Sequence, residues 1–249
     1  MKQTLAILAI FLLASVALAE QPTSQPSASR DVGEKVPSED PIIKDLHSLG
    51  LVNGHVNIFR CACPVRDIGK ATATTQPSEQ QLAEAQSRMQ HLYDLGIRTV
   101  ISFQNPSKTG DEGSVRETQA AVAIEKSAAE KFGLTYIAFP INNGGPDSLA
   151  TMSDEQVIQL CDAVTTEIFK DADRGGVIFH CSAGHDRAGL IAAYIRIKYE
   201  HWPVEQAIAE MRRYGHNWVR YSHNGGVSSW HEEHLRAIAA MLDEDSPRQ

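Results

Sequence analysis

Cysteine is scarce in this chain of 249 residues: Cys61, Cys63, Cys161 and Cys181 are all there is. An even count permits disulfides without requiring them. Cys61 and Cys63 stand too close in sequence to pair readily, and a chain of this length can bury enough core to hold without staples. A disulfide framework is therefore not expected. Basic charge is also short, with 23 Lys and Arg against 31 Asp and Glu and a formal net charge of −8. That deficit argues against nucleic acid or an anionic membrane as the main partner. The tryptophans Trp202, Trp218 and Trp230 are scattered rather than arrayed as a stacking platform. No apolar run is long enough for a comfortable membrane span. The best, Leu5 to Leu18, follows Lys2 and runs into Ala17-Leu18-Ala19 before Glu20. It predicts a secretory signal peptide over residues 1–19 and a secreted or periplasmic protein, an uncleaved N-terminal anchor being the alternative. No cysteine follows Ala19 directly to carry a lipid, and no internal repeat is visible.

What the chain does have is 42% apolar residues, enough for one catalytic unit with appendages. Residues 20–40 turn to Gln, Pro, Ser, Ala and charge, which cannot bury enough apolar area to offset backbone ordering, and they read as a flexible linker. The folded unit is expected over 41–243, followed by a polar tail at 244–249. Within it, Val56 to Arg60, Ile97 to Phe103, Leu134 to Phe139 and Gly176 to His180 read as strands. Glu79 to Leu95 and Ser153 to Phe169 carry apolar residues at helical spacing, the second through Val157, Leu160, Cys161, Val164 and Ile168. Cys161 is thereby expected in the core. Arg116 to Phe132 is Ala-rich and helical by propensity, stopping before Gly133. Ala188 to Tyr199 is apolar on two sides and should form a buried helix. Pro203 opens another, which Gly215 ends. The alternation implies an α/β fold.

The most informative segment is His180-Cys181-Ser182-Ala183-Gly184-His185-Asp186-Arg187. An apolar strand precedes it and a helix follows, so successive N–H groups of the turn and the helix N-terminus converge on one point, a ready anion site. Gly184 supplies a position free of Cβ for unusual dihedrals or close approach. Cys181 lies at the floor of that cup, where the N–H dipoles and Arg187 favour the nucleophilic thiolate. Arg187 returns to the rim, and its planar fork matches two phosphoryl oxygens.

Residues 180–189, His-Cys-Ser-Ala-Gly-His-Asp-Arg-Ala-Gly, resemble the His-Cys-x-x-Gly-x-x-Arg-Ser/Thr-Gly signature of the protein tyrosine and dual-specificity phosphatase superfamily. Asn57-Ile58-Phe59-Arg60-Cys61-Ala62-Cys63-Pro64 is similar to the opening strand of its compact bacterial and fungal members. Leu95 to Ile101 and Ala207 to Arg212 resemble the second strand region and the helix after the loop, so the likeness covers about residues 51–215. It implies a cysteine-phosphatase fold, a central mixed sheet of four to five strands flanked by helices. The implied reaction is hydrolysis of a phosphate monoester, on phosphotyrosine or with dual specificity, through a phosphocysteine on Cys181. Ser182, Ala183, Gly184, His185, Asp186 and Arg187 would bind the phosphoryl group of a phosphorylated protein or small phosphomonoester. No metal and no organic cofactor is implied, and no stable membrane insertion once the signal peptide is removed.

Such a reaction needs a proton donor for the leaving oxygen, and the family draws it from a loop after an earlier strand. Here that loop is Pro140-Ile141-Asn142-Asn143-Gly144-Gly145-Pro146-Asp147. Asp147 is the candidate general acid, its alternative role being to cap the following turn. Asp154 is a rival but sits at a helix start. Asp186 is a second, although orienting Arg187 or capping the helix suits it better. Two positions depart from the signature. Ala188 stands where relatives carry a hydroxyl that assists the second step, and His185 replaces the Lys of enzymes that favour highly phosphorylated inositides. Inositol phosphate or lipid substrates, or a phosphate-binding module with low turnover, are the alternatives. His231-Glu232-Glu233-His234 lacks metal-site spacing and reads as a solvated helix face. His216-Asn217 and Tyr221 to Asn224 form a polar stretch of no assigned place.

Overall fold

The computed structural model describes residues 40–65, 68, 77–106, 119–143, 147–217, 220–221 and 227–244. The expected signal peptide, all of the linker but Asp40, the start of the helix expected from Arg116, Trp218, Ser222 to Asn224 and the tail after Glu244 lie outside them.

Five strands form one mixed sheet: β1 (His47–Ser48), β2 (Ile58–Ala62), β3 (Ile97–Ser102), β4 (Thr135–Ala138) and β5 (Gly176–Cys181), in the order β1-β2-β5-β3-β4. β1 runs antiparallel to β2, and the other neighbours are parallel. The opening strand lies two residues later than its β-rich composition predicts. Val56 is exposed, whereas Cys61 and Ala62 pair with His180 and Cys181 of β5. Pairing to a buried central strand, not local propensity, sets that boundary.

Among the described residues, six helices flank the sheet: α1 (Glu79–Asp94), α2 (Gln119–Lys131), α3 (Asp154–Ala172), α4 (Arg187–Glu200), α5 (Val204–Arg213) and α6 (Trp230–Glu244). A two-stranded ribbon, β6 (Arg220–Tyr221) with β7 (Val227–Ser228), precedes α6. α1 and α3 start in the same way. Ser78 and Ser153 accept from the backbone N–H three residues on, while the Gln81 and Gln156 side chains bond back to the capping serine's N–H, satisfying two otherwise orphaned donors at each end.

The sheet divides the core in two. On one face Ile178, Val100 and Ile97 pack with Met89 and Leu92 of α1 and Ile124 and Ala129 of α2. On the other, Val177, Phe179 and Cys181 pack with Val157, Cys161 and Val164 of α3, the apolar face of α4, Ile208 of α5 and Leu235 of α6. Cys161 is a core residue, and all four cysteines are free and buried. The helix α4 is buried through eleven consecutive residues, Arg187 to Ile197. Successive side chains of β5 therefore report to opposite layers, Cys181 toward α4 and His180 toward α2.

Candidate active site

The loop after β5 begins at the carboxyl ends of three parallel strands. Ser182 accepts from the Cys63 N–H beyond β2 (3.3 Å), and His180 accepts from the Phe103 N–H beyond β3 (2.9 Å). Ligands of open α/β sheets bind at this edge. Cys181 is 3% exposed at the strand end, and Arg187, 6% exposed, is the first residue of α4. Between them Gly184 takes φ +77°, and a Cβ there would lie 2.6 Å from the carbonyl carbon and oxygen of Cys61. Only glycine fits, both by backbone angle and by contact with β2.

Arg187 crosses the carboxyl edge of the sheet. Its Nη1 donates to the carbonyls of Phe103 (2.8 Å) and Ile141 (3.0 Å), so one nitrogen fixes the guanidinium against both the end of β3 and the loop after β4. The same loop holds Asp147, which is exposed and takes φ +52°.

Asp186 does not make the helix cap that was one of its two expected roles. It occupies the N-cap position of α4 but makes no capping bond, because its own backbone is already helical (φ −87°, ψ −68°). Its carboxylate instead takes a 2.6 Å hydrogen bond from Nδ1 of His216. Burial raises the Asp186 carboxyl, but the His216 hydrogen bond and the electrostatic pull of the surrounding histidines together hold it below the usual carboxylate range. His185 lies 3.5 Å from Asp45 and packs on Gly215, where a Cβ would meet its ring at 2.9 Å. Ala188 is fully buried beneath the loop.

Behind the loop, on the opposite face of β5, stands a polar cluster that sequence reasoning missed. Nδ1 of His180 lies 3.2 Å from the Cys181 carbonyl, which only accepts, so Nδ1 carries the proton. Nε2 faces Glu125 of α2 at 3.0 Å, both side chains without exposure. Glu125 also accepts from Tyr136 (2.9 Å), Ser102 (3.5 Å) and Cys63 Sγ (3.5 Å). Burial pushes the Cys63 thiol and the Tyr136 phenol up, and the Glu125 carboxylate adds to both, so each stays protonated as a donor. Cys63, Glu125 and His180 place ligand-type atoms within 4.8 Å of one another, and they are the residues that could hold a metal ion here.

The pair His231 and His234 corrects the expectation of a solvated face. His231 is fully buried and His234 is mostly so. They face the loop after β4: Nε2 of His231 contacts Asn143 Oδ1 (3.2 Å), and His234 bonds both the Leu149 carbonyl (2.7 Å) and Asp154 (2.6 Å). Asp154 opens α3 and pairs with that histidine, as a helix-start residue rather than a member of the loop. Nothing local marks these contacts, since every partner comes from a distant part of the chain.

Residues 77–197 match the tyrosine phosphatase family. Kinase associated phosphatase, solved with serine in place of its catalytic cysteine, superposes with a TM-score of 0.51 at 17% identity, over 84% of this chain and 100% of that one. TpbA of P. aeruginosa aligns at 18% identity over 84% of this chain and 91% of its own, with a TM-score of 0.44. A complex of TpbA with phosphotyrosine aligns at 17% identity, 83% and 95% coverage and a TM-score of 0.41. Among curated proteins none matches the chain. At such identities the superposition with kinase associated phosphatase speaks for the fold alone, whereas the family match runs from the residue before the Ser78 cap through β3, β4 and the Cys181 loop into α4. Over residues 77–197, just under half of its length, the chain is similar to the tyrosine phosphatase family.

Proposed function

We propose that this protein hydrolyses phosphate monoesters, on phosphotyrosine or with dual specificity, through a phosphocysteine on Cys181. The observation that carries the reading is the placement of Cys181 at the carboxyl end of β5, against the N-terminus of α4 that begins with Arg187. The helix end favours a bound anion, and the loop N–H groups and Arg187 would hold the equatorial oxygens as charge shifts during transfer. Sγ of Cys181 attacks phosphorus; the S–P bond forms as the ester P–O bond breaks, and the leaving oxygen takes a proton from Asp147. Water then attacks, Asp147 accepts its proton, the S–P bond breaks and inorganic phosphate departs.

Asp147 is favoured over Asp186 because a general acid must hold a proton, and the His216 bond keeps Asp186 ionised. The left-handed backbone at Asp147, uncommon outside glycine, is the kind of strain that collects at functional sites. The neighbouring Asp45 carboxylate offsets any charge on His185, which speaks against a highly phosphorylated inositide. Export on a leader at residues 1–19 belongs to the same proposal, with an extracytoplasmic substrate. Ala188 supports a second reading, a phosphate-binding module with slow release, because no hydroxyl stands beside Cys181 at that position.

Hydrolysis of p-nitrophenyl phosphate tests the pair. The enzyme reading expects vanadate-sensitive turnover lost in Cys181→Ser, and activity that survives the change overturns it. Tight phosphopeptide binding without turnover, with activity rising in Ala188→Ser, supports the second reading.

A further inference from the structure

The loop between β4 and α3 closes on itself. Leu149 N–H donates to the Asn142 carbonyl (2.9 Å), so the described residues before and after Gly144 to Pro146 meet at a narrow base. Asn105 pins the first leg through a 2.6 Å bond to Asn142 Oδ1, and Arg187 pins the Ile141 carbonyl. Both legs then meet a single helix. His231 contacts Asn143 on the first leg, and His234, one turn along α6, contacts Leu149 on the second. Positions three apart share a helix face, so one rigid element grips both sides of the base.

The partners fix where the protons are. Asn143 Oδ1 accepts, so His231 donates through Nε2, and its buried Nδ1 has no hydrogen-bond partner, which suits a neutral ring. The Leu149 carbonyl and the Asp154 carboxylate hold the two ring nitrogens of His234 at 2.7 and 2.6 Å, so the ring is fixed from both sides. Asp154 faces it from α3 and the neutral His231 from its own helix. The start of α6 also reaches the Cys181 loop. Nε2 of His216 meets Ser229 just before the helix (2.9 Å), while Nδ1 holds Asp186.

The geometry points to His231 and His234 as positioning residues that clamp the base of the Asp147 loop to α6 and so hold the general acid in register with the Cys181 loop. The inference rests on the reading of Asp147 as that acid. The two histidines touch no reacting atom. Their effect is to restrict where the Asp147 carboxyl can go, and small misplacements of a catalytic group carry large rate penalties.

A general acid matters only when the leaving group needs a proton, so leaving-group dependence separates clamping from mere folding. kcat/KM, which reports phosphocysteine formation, is measured with phenyl phosphate and with 2,4-dinitrophenyl phosphate. Asp147→Asn is expected to lose about 100-fold or more on phenyl phosphate while nearly keeping its rate on the dinitrophenyl ester. A loss equal on both esters would overturn the acid assignment, and the clamp with it. Given that discrimination, His234→Ala and His231→Leu are expected to lose about 10-fold on phenyl phosphate and less than about 2-fold on the dinitrophenyl ester. His231→Gln, which keeps a donor near the Nε2 position, should stay close to the parent. In the Asp147→Asn background the histidine changes should cost nothing further on phenyl phosphate. Equal losses on both esters in the histidine variants, no loss at all, or full additivity with Asp147→Asn would each overturn the clamp while leaving the acid in place.

Discussion

Gly184 shows how tightly the Cys181 loop is drawn against the sheet. With φ at +77° and a virtual Cβ 2.6 Å from the Cys61 carbonyl group, Gly184→Ala is strained twice, by its own backbone and by a neighbour that is itself fixed in β2. The loop must lift for the methyl to fit. A loss of about 1–3 kcal/mol of stability is expected from thermal or urea unfolding, together with a fall in kcat/KM of at least about 10-fold as the N–H groups leave their common focus. Unchanged activity would mean that the loop is far more pliable than its contacts imply. Cys181, Gly184 and Arg187 were legible in the sequence because their relation is local: three residue types at fixed spacing between a strand and a helix. Glu125, His216 and His234 were not, since each meets its partner only after the sheet and helices have assembled, and an isolated Glu or His in a polar stretch carries no mark of that contact. Arg60 was missed for the same reason. It is a fully buried arginine stacked 4.0 Å over the Tyr214 ring, its pKa drawn down to about 10 by burial, and nothing in the strand's pattern distinguishes it from an exposed cation.

Among the elements, α6 carries the most unexpected chemistry. Its apolar stripe packs Leu235 and Ile238 into the core, which is what amphipathic spacing predicts. Burial lowers the His231 pKa to about 3; Asp186 works to raise it, while His216, His234 and Arg187 lower it further. The folded protein therefore keeps this ring neutral while the unfolded chain takes up a proton below the ordinary value near 6.5. Stability from this residue is complete above that pH and is lost as the pH falls from 6.5 toward 3. At about 1.4 kcal/mol per pH unit the loss between pH 7 and pH 5 is about 2 kcal/mol. Urea unfolding at the two pH values should record it, and His231→Leu should shrink the difference. A variant with the same pH slope as the parent would place the titration elsewhere. The boundaries of the elements were less legible than their kinds. The opening strand shifted toward Ala62 because pairing with β5 overrides local propensity, while the helices expected from Glu79 and Ser153 start within a residue of those positions, each fixed by a capping box that is a purely local device.

At the scale of the whole molecule, the sheet order places β5 at the centre, between β2 and β3, with helices on both faces. That position makes β5 the most enclosed strand and lets its carboxyl end deliver Cys181 to a loop braced by both neighbours. The alternation of strands and helices foretold the layers, and the ten-residue signature lies where its flanks predict, between a strand and a helix. What the sequence could not convey is that the loop after β4, the loop after β5 and the first turn of α6 are joined through Arg187, His216, His231 and His234 into one polar framework. The central claim is covalent, that phosphate passes through the sulfur of Cys181. Its most direct test is to mix the protein with p-nitrophenyl phosphate, quench in acid within a turnover and map the phosphorylated peptide by mass. One phosphoryl group on Cys181 at a burst matching the enzyme concentration is the expected result, absent in Cys181→Ser. Steady turnover with Cys181 unmodified, or a phosphoryl group carried on another residue, would contradict the account.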